Sequence, residues 1–560
     1  MADHDDDVEA GAPLDLLLAE ATRGGWRSML PRASTVRFAA ALARRPETVV
    51  RRGRGLVAEL GRIVVGTSTT EPEARDRRFS DDAWSGNPVL RRAMQTHLAV
   101  GHAAEALVED VELPEADAQR VSLSVSNAVD ALAPSNNPLL NPRALKAVID
   151  TGGANMVTGV RNLVRDVATA PRVPRMVEPD AFDVGRDLAA SPGVVVLRTP
   201  VFELIRYVPT TDEVREAPLV VVPPTINKYY VVDLAPGRSL VEYLVGEGHQ
   251  VFMISWRNPD VRHASWGFDT YGAAIVEALD AAREAAGSTR TSMLGLCSGG
   301  ILSAMVLAHL AAVGEQDRIA AAAFSVAVLD HADGGLPGAL LTPAAAEAAI
   351  RASAVHGYLD GRSLAEVFAW LRPNDLIWNY WVENYLLGRS PKPFDVLFWN
   401  ADTTRMPAGL HRDFIRLAQR NALVEGGADM LGTPVDLSVV GVDAYVTAGS
   451  TDHLCPWQGC YATSRLLGGK VRFVLSSGGH IASIVNPPGN TRTHFRVGDH
   501  TPGDPEGWSA AAERVEGSWW PDLSAWLGER SGAEVPAPDV RDGVAHPVLG
   551  EAPGSYVRAT

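Results

Sequence analysis

Cys297 stands in the run Gly295-Leu296-Cys297-Ser298-Gly299, between the apolar stretch Ser292 to Leu296 and an alanine-containing stretch from Gly300 to Val313. Read as strand, sharp turn and helix, this G-x-C-x-G pattern is a nucleophile elbow with cysteine where serine is usual. Gly295 and Gly299 are small enough to let the turn close, and the helix that follows aims its N-terminus at the thiol. A free thiol titrates at roughly 8.5, and a helix N-terminus plus a neighbouring imidazole lowers that enough to populate thiolate. Attack of a thiolate on a thioester gives another thioester, so the acyl group keeps its reactivity, whereas serine would step down to an ester. The residue types therefore suit passage of an acyl group from a thioester donor to a hydroxyl acceptor. The competing reading is a buried structural cysteine in a glycine-rich turn, and the partners decide between the two.

Such an elbow predicts an acid and then a histidine, each in the loop after a later strand. Ala444 to Thr447 runs into Asp452, and Val471 to Leu475 runs into Ser476-Ser477-Gly478-Gly479-His480. Loops at the carboxyl ends of parallel strands converge on one site. His480 is the expected general base for Cys297. Asp452 either orients His480 or helps take the proton from an incoming hydroxyl, and the sequence is compatible with both. Asp330, in Leu329-Asp330-His331 at another strand end, is the rival acid. The oxyanion is expected to meet the backbone N–H of Ser298 and a second donor in the loop Pro223 to Lys228, with Ile226 the candidate. Lys228 reads either as a contact for a donor phosphate or as a surface lysine, and His453 as loop-shaping. Cys455 and Cys460 have no histidine or cysteine at metal-ligand spacing, so no metal is expected.

These residues need a parallel sheet to hold them. Strand-like runs occur at Val194 to Leu197, Phe202 to Tyr207, Leu219 to Val222, Val251 to Ser255, Ser292 to Leu296, Ile319 to Leu329, Ala444 to Thr447 and Val471 to Leu475. Helical stretches at Thr270 to Ala286, Gly300 to Val313 and Trp457 to Leu467 alternate with the later ones, as in a parallel sheet with crossover helices. The expected fold class is α/β, an α/β-hydrolase fold with an inserted cap and a helical N-terminal domain. Residues 1–180 form that helical domain, with breaks at Ser85-Gly86-Asn87-Pro88 and Pro134 to Pro138; 181–530 form the catalytic domain with the cap at about 331–435; 531–560 form an irregular tail. The cap concentrates Trp370, Trp378, Tyr380, Trp381, Tyr385, Phe394, Phe398 and Trp399. They suit an acyl channel, a self-association surface, or the cap's own core.

Composition bounds the partners. The 560 residues carry a net charge of −16 with no Lys/Arg-rich run to offset it, which argues against a nucleic-acid partner. The longest strongly apolar run, Ile319 to Leu329, is far shorter than the about twenty residues of a membrane span. Three cysteines are too few for a disulfide framework and fit a reducing cytosol. The acidic Met1 to Ala10 has the wrong sign for a signal peptide.

From about Asp76 onward the chain resembles the polyhydroxyalkanoate synthases, bacterial enzymes that polymerise (R)-3-hydroxyacyl-CoA into storage polyester. The resemblance lies in Arg78 to Trp84, Pro223-Pro224 with Ile226 to Tyr230, Ser255 to Pro259 and the cysteine elbow. It continues in Leu371 to Asp375 with Trp378-Asn379-Tyr380, Phe394-Asp395 with Trp399 to Thr404, Asp452-His453 with Pro456-Trp457, and Ser477 to Pro488. It implies Cys297, Asp452 and His480 as the catalytic set, acyl loading with release of CoA, and extension by the 3-hydroxyl of the next unit. It also implies a homodimer in the cytoplasm at the surface of polymer granules, with acyl-CoA as substrate and no cofactor. Asp130 to Asn136, Pro138 to Pro142 and Pro407 to His411 look most like the medium-chain type, while Thr225 and Leu296 depart from it. Two other readings compete. A thioesterase or polyester hydrolase on the same fold would use a serine elbow, and a non-catalytic granule-coat protein would not need an intact triad.

Overall fold

The structure, a computed structural model, describes residues 18, 33–73, 76–331, 343–499, 503–541 and 546–560. The acidic start and residues 332–342 of the expected cap lie outside them. The chain divides into two units: Met1–Thr22 with Asp180–Gly361 and Phe394–Thr560, and Arg23–Pro179 with Arg362–Pro393.

The second unit is helical, as its sequence predicts. The break expected at Ser85 to Pro88 is a helix start, and the one at Pro134 to Pro138 holds a short 3₁₀ turn, Pro134–Asn136, ahead of the next helix. Asn87 Oδ1 accepts from the N–H groups of Val89 and Leu90 at 2.9 and 3.3 Å, capping the helix Pro88–Glu109. Asn141 does the same for Pro142–Thr151, and in both helices proline takes the first position, where its missing N–H costs nothing. Part of the expected cap belongs here. Val382, Leu386 and Leu387 form a core cluster with Ala144, and Ala369 and Ile377 form another with Val173. Tyr385 donates its hydroxyl to Asp166 Oδ2 at 3.0 Å. Trp370, Trp378, Trp381 and Tyr385 stack edge-to-face in series with centroids 6.2, 5.9 and 5.3 Å apart; Tyr385 is buried, and the three tryptophans are half-buried against this unit's core clusters.

The first unit is built on an 11-stranded sheet. We number its strands β1 (Gly193–Arg198), β2 (Phe202–Tyr207), β3 (Leu219–Val222), β4 (Val251–Trp256), β5 (Thr291–Leu296), β6 (Ile319–Ser325), β7 (Ala444–Gly449), β8 (Val471–Ser476), β9 (His494–Asp499), β10 (Glu513–Glu516) and β11 (Gly550–Glu551). Their spatial order is β10-β9-β8-β7-β6-β5-β3-β4-β2-β1-β11. The stretch from β4 to β8 is parallel, and the strands at both edges are antiparallel. Strands β3 to β7 are buried along their length, as valine- and alanine-rich runs covered on both faces must be. All eight sequence-read strands form. The run Ile319 to Leu329 is shorter than expected, because Val326 at φ +48° turns the chain out of the sheet.

The C-terminal segment departs from expectation. It is not an irregular tail: Glu534–Pro536 pairs with Glu213–Arg215, and β11 pairs with β1 at the sheet's edge. The anchor is Glu203, fully buried on β2. It accepts from Ser555 N–H at 2.8 Å, Ser555 Oγ at 2.6 Å and Tyr556 N–H at 2.9 Å, and Arg198 donates to it at 2.7 Å. Proline- and glycine-rich composition conceals this, because the pairing depends on one distant carboxylate.

Glu203→Ala strips two backbone N–H groups and an arginine of their acceptor. The expected cost is on the order of 2–4 kcal/mol. Thermal unfolding should shift down by several degrees and limited proteolysis should clip the C-terminus first; an unchanged melting curve and cleavage pattern would contradict the anchor.

Candidate active site

The sheet delivers three side chains to one end. β5 ends at Leu296 and the chain turns at Cys297, with φ +49° and ψ −121°, into the helix Ser298–Ala312. A Cβ on Gly299 would lie 2.4 Å from the carbonyl oxygens of Val222 and Pro223, and one on Gly295 would lie 2.7 Å from Gly300 Cα. Only glycine permits that approach. β7 and β8 are paired in parallel, Gly449 opposite Ser476, so the loop carrying Asp452 and the turn carrying His480 leave the sheet side by side.

His480 donates Nδ1–H to Asp452 Oδ2 at 2.7 Å. Asp452 Oδ1 accepts from the N–H groups of Leu454 and Cys455 at 2.8 and 2.9 Å, so both carboxylate oxygens are engaged and the group is buried. With Nδ1 so used, Nε2 is the nitrogen left for Cys297. A ring nitrogen of His480 and the Sγ atoms of Cys297 and Cys455 lie within 4.8 Å of one another. The rival acid, Asp330, accepts from Asn421 Nδ2 at 2.9 Å, while the acid bonded to His480 is Asp452.

The electrostatics favour a thiolate–imidazolium pair. The Cys297 thiol is held well below its ordinary value by hydrogen bonding from Cys455, which together with His480 and the Ser298 N–H overcomes the penalty of burial. Burial depresses His480, but the charge and hydrogen bond of Asp452, followed by the Cys297 thiolate, more than reverse this and hold it well above the usual imidazole range. Cys455 is pushed the other way, up, because its proton is shared with the Cys297 thiolate and because it is buried.

The expected oxyanion loop is fastened to the elbow. Thr225 N–H donates to Ser298 Oγ at 3.0 Å, the two hydroxyls are 3.2 Å apart, and Trp256 Nε1 donates to the Pro223 carbonyl at 3.1 Å. Ile226 is the next residue in that loop. Lys228 is neither on the surface nor free for a phosphate: it is buried, its Nζ pairing with Asp402 Oδ1 at 2.9 Å and donating to the Val557 carbonyl. The burial arises because Lys228 lies between the cap residue Asp402 and the folded C-terminal segment, which sequence reading treated as irregular. Sequence reading also missed Cys455 beside the nucleophile. The one available signal was its place three residues after Asp452, where the turn that binds the carboxylate returns it to the site. Cys297, Cys455 and His480 supply soft ligand atoms close enough to hold a divalent cation, at the expense of the nucleophile. Among the described residues, no helix is long and apolar enough to cross a membrane.

A family model described as poly-beta-hydroxybutyrate polymerase (PhaC) N-terminus matches residues 75–244, and one described as alpha/beta hydrolase fold matches residues 218–487. The chain is 44% identical over 504 residues to poly(3-hydroxyalkanoate) polymerase 2 of Ectopseudomonas oleovorans, covering 90% of each protein. It is 45% identical over 500 residues to polymerase 1 of the same organism, covering 89% of each. A third relative, the poly(3-hydroxyalkanoate) polymerase subunit PhaC of Cupriavidus necator, is 40% identical over 495 residues, which cover 86% of this chain and 83% of the relative.

Because the thiol is depressed, the Cys297 thiolate is present above its own low value and is lost as the pH falls through about 5. Iodoacetamide should therefore alkylate Cys297 at a nearly constant rate across neutral pH, where a free thiol slows below roughly 8.5. Asp452→Asn removes the charge and hydrogen bond that hold His480 up, so its imidazolium should give up its proton on the order of 1–2 pH units lower, read by NMR titration of the ring. An alkylation limb near that of free cysteine in the parent would contradict the ion pair.

Proposed function

The chain belongs to the poly(3-hydroxyalkanoate) polymerases, and from that premise we propose that it polymerises (R)-3-hydroxyacyl-CoA through a thioester on Cys297, with release of CoA. The observation that carries this reading is the hydrogen-bonded series from Asp452 through His480 toward a depressed thiol at the elbow. In the loading step the Cys297 thiolate attacks the donor's carbonyl carbon. The oxyanion forms against the Ser298 N–H and a second donor in the Thr225–Ile226 loop, and collapse expels CoA thiolate, which takes the imidazolium proton of His480. His480 is then neutral. It removes the proton from the 3-hydroxyl of the next unit, whose oxygen attacks the Cys297 thioester, forms the ester bond and returns the thiolate.

Asp452 acts in this scheme by orienting His480 and stabilising its charge. Both its oxygens are already hydrogen-bonded, one to the ring and one to two backbone N–H groups, which disfavours direct contact with a substrate hydroxyl. No cofactor enters the scheme, acyl-CoA being the substrate. Medium-chain acyl groups are the proposed preference, on the strength of the sequence stretches that resemble that type. A homodimer working in the cytoplasm at a polymer granule is the proposed setting, by extension from the family.

The test is release of CoA from (R)-3-hydroxybutyryl-, octanoyl- and decanoyl-CoA, with the acyl product sized in the same tube. Polymer should accompany CoA, fastest with the eight- and ten-carbon donors. Cys297→Ala should cut the rate about 10⁴-fold or more while leaving thermal unfolding intact. Free hydroxy acid without polymer would mean a thioesterase, and turnover retained in the alanine variant would remove Cys297 from the mechanism.

A further inference from the structure

The acyl-transfer scheme leaves Cys455 without a covalent part. It sits in the loop between β7 and the helix Trp457–Thr463, 9% exposed, with its Sγ within 4.8 Å of Cys297 Sγ. Two thiols at that separation beside a shared histidine are one side-chain rearrangement from the roughly 2 Å of a disulfide. The Cys455 N–H is bonded to Asp452 Oδ1 at 2.9 Å, which keeps its side chain turned toward the nucleophile. The third cysteine does not compete on the same terms: Cys460 lies inside the helix, with its Sγ donating to the Cys455 carbonyl at 3.8 Å.

We propose that Cys297 and Cys455 form a redox pair, in which a hydroperoxide oxidises the nucleophile and Cys455 then closes an intrachain disulfide over it. The Cys297 thiolate attacks the terminal peroxide oxygen. The O–O bond breaks, Cys297 becomes a sulfenic acid, and the departing alkoxide takes the His480 proton. Neutral His480 next takes the Cys455 proton. The Cys455 thiolate attacks the sulfenic sulfur, the S–S bond forms as the S–O bond breaks, and the hydroxide leaves with that proton as water. Two thiols are oxidised to one disulfide and the peroxide is reduced to an alcohol and water. The arrangement has a consequence for a nucleophile kept as thiolate: such a sulfur is peroxide-reactive, and without a neighbouring thiol it proceeds to irreversible sulfinic acid. The disulfide stops that step and returns to active enzyme on exposure to a dithiol.

This rests on Cys297 being the nucleophile, and the experiment separates the two. The full chain is titrated with hydrogen peroxide, and polymerisation, intact mass and a non-reducing peptide map are followed together. Expected are loss of activity, a mass decrease of about 2 Da, a peptide joining residues 297 and 455, and recovery of most activity with dithiothreitol. In Cys455→Ser and Cys455→Ala the same dose should instead add about 32 Da at Cys297, with recovery at least about fivefold lower. Cys460→Ser should behave like the parent. A parent that gains oxygen at Cys297 without the 297–455 link, a link between 455 and 460, or a 297–455 link that leaves activity intact would each overturn the redox pair. Full activity in Cys297→Ala would instead overturn the nucleophile assignment.

Discussion

At Cys297 an L-residue holds φ +49°, a conformation that costs on the order of 1–3 kcal/mol and persists only where its surroundings impose it. The surroundings are the two ends of the turn. Gly299 presses on the carbonyls of Val222 and Pro223, and the Cys297 N–H is bonded to the Ser325 carbonyl at 3.0 Å on the next strand. The elbow is thus clamped between β3 and β6, and relaxing it would require separating paired strands. That constraint lifts the thiol clear of the sheet and leaves the Ser298 N–H free of helical pairing, aimed at the sulfur. The proposed loading, extension and redox steps all start from this position of one sulfur.

The charge at the site follows from what is buried with it. A thiolate, an imidazolium and a carboxylate in line sum to one negative charge, and a buried net charge is costly unless it is hydrogen-bonded. Two backbone N–H groups on Asp452 and the Ser298 N–H on Cys297 supply those bonds, together with the positive end of the nucleophile helix. The proton shared between Cys455 and Cys297 adds to them. It makes the sulfur a weaker base than an isolated thiolate and so a better leaving group, which suits the thioester that the proposed scheme releases in every extension cycle.

Much of this was legible in the chain because it is local. Eight strands could be read from β-branched and alanine-rich runs, and Cys297, Asp452 and His480 from their order and their place after three of those strands. What escaped was non-local. The partner of Glu203 is 352 residues away, so the folding of 546–560 onto β1 and β2 leaves no periodic trace. Lys228 looked solvated because its counter-charge, Asp402, lies in the cap sequence and its carbonyl acceptor near the C-terminus. The aromatics between 370 and 385 read equally well as channel, interface or core, since a tryptophan's burial depends on which helices it meets. Cys455 lacked any motif, because its proximity to Cys297 arises from a tight turn around a carboxylate on another strand.

Strand order explains why the parts meet from opposite sides. β3 is the immediate parallel neighbour of β5, so the loop after it lies beside the elbow, and the Thr225–Ser298 hydrogen bonds lock the two together. β7 and β8 lie on the other flank, separated from β5 by one strand and by two, and the turns that leave them join Asp452 to His480 on that side of the elbow. In the proposed scheme an acyl group entering between the flanks meets oxyanion donors on one side and the proton carrier on the other. In that scheme the charge on the thiol is stabilised before the acyl group arrives and again after it leaves, by the same hydrogen bonds. Polymerisation by the proposed route asks for that repetition, with the same sulfur returning to the same state after each ester bond.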